Sequence, residues 1–82
     1  MSLTVGKLYR TKISLLAGED AFMYNVNIPE GSTLMLIKDT LDKGENRLYC
    51  QFLFGMKSCC ITFSESNINP YSWAMSFLDP ID

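Results

Sequence analysis

Leu48-Tyr49-Cys50-Gln51-Phe52-Leu53-Phe54-Gly55-Met56-Lys57-Ser58-Cys59-Cys60-Ile61-Thr62-Phe63 is the stretch that decides the fold. Its period is two. Leu48, Cys50, Phe52 and Phe54 fall on one side of an extended chain, with Tyr49 and Leu53 on the other. Cys59, Ile61 and Phe63 repeat the pattern against Ser58, Cys60 and Thr62. Between the two runs, Gly55-Met56 is a two-residue connection with glycine first, which is the chemistry of a type II′ hairpin turn. Residues 48–63 therefore read as a β-hairpin. One of its strands is apolar on both faces, so its second face must be covered or form a contact.

The same period extends outward. Phe22, Tyr24, Val26 and Ile28 alternate with Met23, Asn25 and Asn27. Tyr9, Thr11, Ile13 and Leu15 form a similar row, which predicts one strand over residues 7–15. Leu34-Met35-Leu36-Ile37 is apolar on both sides, and the alternation of Trp73, Met75 and Phe77 predicts a final strand. Ile28-Pro29-Glu30-Gly31 reads as a type I turn with φ preset by proline. Ala17-Gly18-Glu19-Asp20 reads as a loop and Asp42-Lys43-Gly44-Glu45 as a hairpin tip. Residues 39–48 carry no apolar stripe, and Gly44 interrupts any helix there, so they too read as loop. Residues 64–69 are polar and irregular. Five or six short antiparallel strands at this spacing predict an all-β fold, a small barrel forming a single domain over residues 1–82.

Composition bounds the function. The 82 residues, 9.3 kDa in mass, suffice for one domain. With 48% hydrophobic and 20% charged residues, the chain is no disordered tail. Its apolar runs are far short of the ~20 residues that span a bilayer. No basic-apolar leader pattern opens it, so a cytoplasmic setting without membrane contact is expected. Seven basic against nine acidic residues, with a pI near 4.9, argue against a general nucleic-acid binder. There is no histidine, which removes the commonest general base, the commonest zinc ligand and any Ser-His or Cys-His pair. Cys50, Cys59 and Cys60 are odd in number and lack C-x-x-C spacing, so they read as reduced thiols. No glycine-rich phosphate motif or nucleophile elbow occurs. The expectation is a non-enzymatic protein with no cofactor and no metal.

In layout the chain resembles a Src-homology-3 (SH3)-like barrel. An opening strand, a loop and a second strand lead to the tight Pro29-Glu30-Gly31 turn, which resembles that fold's diverging turn. Two hairpin tips, a polar connector and a last strand follow. The chain departs from the peptide-binding members. Its first loop offers only Glu19 and Asp20 as acids, and Tyr49 stands where a tryptophan is expected. Asn69-Pro70-Tyr71 resembles the proline and tyrosine of their groove. The opening Val5-Gly6-Lys7-Leu8-Tyr9-Arg10 resembles short uncharacterised proteins of tailed phages. That resemblance implies host cytoplasm as the setting and a host protein as the partner.

The apolar surplus outside one small core points to protein–protein interaction or homodimerisation, with Met23, Tyr49, Leu53 and Trp73 as the contact residues. The alternative is a nucleic-acid-contacting barrel that uses Lys7, Arg10 and Lys12, with Tyr9 or Tyr24 as stacking platforms. Asp39, Asp42 and Glu45 share one loop region, but without calcium-loop spacing they read as a solvated tip.

Overall fold

The computed structural model describes residues 3–19 and 25–81. Seven strands and one short helix follow in the order β1 Leu8–Thr11, β2 Leu15–Glu19, β3 Asn25–Ile28, β4 Thr33–Asp42, β5 Arg47–Phe54, β6 Lys57–Ser64, α1 Pro70–Met75 and β7 Leu78–Ile81. The strands form one antiparallel sheet in the order β3-β2-β6-β5-β4-β1-β7. The sheet curls around a single core, and α1 packs against it, touching β5, β6 and β7. The all-β expectation holds, with seven strands rather than five or six.

The central hairpin follows its sequence. All eight residues of β5 pair in register with β6, from Arg47 opposite Ser64 to Phe54 opposite Lys57. Gly55 takes a φ of +63°, and Met56 does not share the left-handed region. That is the type II′ geometry its glycine predicts. Leu48, Cys50 and Phe52 of β5 are buried with Cys59, Ile61 and Phe63 of β6. Fully burying each large apolar side chain contributes about 1.5–3 kcal/mol.

Four expectations about strands need correcting. Residues 7–15 are two strands, because the chain bends at residues 12–14 and leaves β1. Tyr9 and Thr11 are buried, but Ile13 in the bend is exposed. Ala17, Gly18 and Glu19 are strand rather than loop, since β2 pairs with β3 on one side and β6 on the other. β4 runs on to Asp42, because after a bulge at Ile37 it pairs with β5 again, from Lys38 opposite Gln51 to Asp42 opposite Arg47. The run around Trp73 is helix, and the final strand lies beyond it. Asn69 caps this helix, its side chain accepting from the Tyr71 amide at 2.9 Å and the Ser72 amide at 3.4 Å, with Pro70 at the first turn. The predicted strand start at Phe22, Met23 and Tyr24 lies outside the described residues.

The turn between β3 and β4 sits one residue later than its proline suggests. The Ser32 amide donates to the Pro29 carbonyl at 3.2 Å, and Gly31 occupies φ +83°. Glycine at the third position with positive φ makes this a type II turn, a conformation that costs other residues strain. Thr11 ties it down from below. Its hydroxyl donates to the Pro29 carbonyl at 2.9 Å and accepts from the Ser32 amide at 3.0 Å. β3 and β4 then part, one to β2 and the other to β1 and β5.

Candidate interaction surface

Strand pairing puts partnered residues on the same side of a sheet. Because Leu48, Cys50 and Phe52 face the core, Tyr49, Gln51 and Leu53 face outward. Register then assembles a row that no single strand shows. Ile81 lies opposite Leu8, Leu8 opposite Met35, and Met35 opposite Leu53. Four apolar side chains on four neighbouring strands thus run across the outside of the sheet. Leu8 is 42% exposed and the other three are half-buried. Beyond Leu53 the row ends on Ser58 of β6.

One step along the strands, Lys38 pairs with Gln51 and Gln51 with Cys60. One step further, Thr40 pairs with Tyr49 and Tyr49 with Thr62. Lys38, Thr40, Tyr49, Cys50, Gln51 and Cys60 line a shallow depression of about 160 Å³. Tyr49 is 41% exposed. Arg47, two residues before it on the same side, hydrogen-bonds to Tyr49, and Glu45 lies 3.2 Å from the guanidinium. The Tyr49 bond first, and the Glu45 charge second, hold Arg47 above its ordinary pKa.

Of the contact residues expected from sequence, the structure brings Tyr49 and Leu53 together on this outer side. Trp73 belongs to the inner side, where it packs against the core and meets Phe77 edge-on at 4.9 Å. Phe77 in turn stacks on buried Phe63. Met23 lies outside the described residues. Met35 counts in sequence only as part of the apolar surplus, and Leu8 and Ile81 carry no signal there, because their adjacency comes from pairing between distant strands.

Two of the basic set meet at one acid, while Lys7, half-buried, directly precedes β1. Arg10 is exposed on β1, opposite Asp79 of β7, and Lys12 pairs with that same Asp79 at 3.4 Å. Tyr9 is no stacking platform: it is 1% exposed, and its hydroxyl accepts from the Thr4 amide at 2.8 Å. Tyr24 lies outside the described residues.

The carboxylates of the β4–β5 region have structural partners. Asp39 accepts from the Tyr71 hydroxyl at 2.9 Å, which first of all raises the Tyr71 pKa. Asp42 accepts from the amides of Gly44 and Glu45, and Glu45 pairs with Arg47. Among the described residues no cluster of three potential metal ligands occurs. Cys50 is buried, and that burial chiefly pushes its thiol up to about 12, with the charge of Asp39 adding to the shift. A thiol in that state is not a nucleophile at neutral pH.

No helix among the described residues is long and apolar enough to cross a membrane. Comparisons with protein families, with curated proteins and with solved structures yield no match.

Proposed function

We propose that this chain is a non-catalytic protein–protein interaction module built on an SH3-like barrel, and that it binds its partner through the outer side of β1, β4, β5 and β7. The observation that carries the reading is the row Ile81-Leu8-Met35-Leu53, apolar and partly exposed on a sheet whose other side already holds a full core. These side chains stay partly in solvent although a core fills the other side, and contiguous exposed apolar groups mark contact sites. Tyr49 on the same side adds the residue type that anchors interfaces. The layout supports the barrel assignment: β3 and β4 diverge at a tight turn, two hairpins follow, and a short helix precedes the last strand. The partner is a host protein in the cytoplasm if the phage-like opening reflects the protein's origin.

The test is capture from native lysate after nuclease treatment, at low and high salt, with the wild type and Leu53→Asp compared. A protein retained by the wild type at high salt and lost with Leu53→Asp supports the module. Equal retention by a folded Leu53→Asp protein removes this surface. Capture that vanishes with nuclease or salt favours nucleic-acid contact by Lys7, Arg10 and Lys12 instead.

A further inference from the structure

The bulge in β4 has a chemical consequence. Leu36 lies opposite Phe52 and Lys38 opposite the next residue back, Gln51, with Ile37 left over. A regular ladder would put position 37 opposite Gln51. The extra residue instead sets a lysine there, next to the apolar row, as bulges commonly re-aim side chains. The depression is lined by Lys38, Thr40, Tyr49, Cys50, Gln51 and Cys60, with no carboxylate among the described residues of its wall. Of the described acids, Asp39 is engaged with Tyr71, Asp42 with turn amides, Glu45 with Arg47, and Asp79 with Lys12. Lys38 is exposed and has no ion pair among the described residues. An uncompensated cation beside an apolar row selects a partner of opposite sign.

We propose that this depression takes a carboxylate of a protein segment whose apolar side chain lies on the Met35–Leu53 part of the row. The inference rests on the interaction module proposed above and names the chemistry of its partner. The spacing narrows it further. The Met35–Leu53 and Lys38–Gln51 pairs are two β5 residues apart, about 7 Å, which is also the distance between alternate residues of an extended chain. The recognised unit is therefore an extended segment with a large apolar residue and, two positions on, Asp or Glu. The depression is smaller than the roughly 300–1,000 Å³ of small-molecule sites. It fits one side-chain group and not a cofactor.

The experiment titrates ¹⁵N-labelled full-length protein with the blocked peptide acetyl-Leu-Ser-Leu-Ser-Glu-amide and reads amide shifts. Shifts should centre on Met35, Lys38, Gln51 and Leu53. Lys38→Gln should weaken binding roughly threefold, as expected for one exposed ion pair, and this difference should vanish in high salt. Lys43→Gln, an equal charge change at the β4–β5 tip, should leave binding unaltered, and the peptide ending in Lys should bind less well. If Lys38→Gln binds as the wild type does, or both peptides bind alike on the same row, the carboxylate site is wrong while the apolar module stands. Absence of shifts on the row overturns the inference, and the lysate capture then judges the module separately. Stronger shifts of the same amides by oligo(dT) or by anionic vesicles, or concentration-dependent shifts without peptide, overturn the peptide occupant in favour of nucleic acid, membrane or a second copy.

Discussion

The two sides of β5 differ in what they ask of their residues. On the inner side, Leu48, Cys50 and Phe52 are 1% exposed or less and packed on every flank. On the outer side, Tyr49, Gln51 and Leu53 stand in rows of mixed chemistry, touching solvent and one another across strands. Both sides are rich in large side chains. The inner set is explained by folding, whereas the outer set keeps contact with solvent, and that difference is what the proposed recognition role rests on.

The sharpest way to break the contrast is to remove one large residue from each side. Phe52→Ala should cost about 3–5 kcal/mol in urea unfolding, enough to unfold many domains of this size. Leu53→Ala should cost far less, and similar values for the two would erase the distinction between the faces.

Alkaline titration asks the same question of a proton. Cys50 holds its thiol neutral up to about 12 against an ordinary 9.0. A raised pKa contributes stability that is fully present below pH 9 and lost as pH rises from there towards 12. Tyr71, also raised, pulls the same way above pH 10. Stability should fall by on the order of a few kcal/mol across that window. Cys50→Ala should flatten the fall; an unchanged slope would show that the inner thiol is not as dry as its burial implies.

Thr11 is the one polar residue fully buried among the described residues. Thr11→Val keeps the shape but removes one bond each from the Ser32 amide and the Pro29 carbonyl, which stay bonded to each other, and should cost about 0.5–1.5 kcal/mol. Calorimetry that finds it neutral would mean solvent reaches the turn.

The smallest effect is expected outside. Tyr49→Ala should change stability by no more than about 0.5–1 kcal/mol while weakening partner capture. Thiol labelling gives a companion reading without mutation. Half-buried Cys60 should react with an aromatic disulfide reagent well before Cys50 and Cys59, which should wait for unfolding. Simultaneous reaction of all three would mean the sheet opens as one unit.

Much of this was legible in the chain because a period of two is a local signal. The β5–β6 hairpin, its Gly55 turn and the buried sides of both strands follow directly from neighbouring residues. The apolar row is not local: Leu8, Met35, Leu53 and Ile81 are scattered along the chain, and only pairing makes them adjacent. Trp73 misled for the opposite reason. A short stretch of alternating apolar residues also satisfies one helical turn, in which buried Pro70 and Ala74 stand four apart. The Asn69-Pro70 pair was the signal that could have settled it, a capping residue followed by the residue best suited to a first helical turn. The bulge at Ile37 carried no such mark. A run apolar on both faces does not reveal which of its members is the surplus one.

That surplus residue makes β4 forgiving in a way its neighbours are not. Lose the Ile37 codon, and Leu36 and Lys38 would become consecutive opposite Phe52 and Gln51, with every later side chain still on its own side of the sheet. Lose any single codon inside β5, whose ladder with β6 has no slack, and all positions beyond it would exchange inside for outside. Length variation in the central strands should therefore be confined to this one point, and a variant lacking Ile37 would keep the fold while presenting a straighter, less apolar edge to whatever docks beside Lys38.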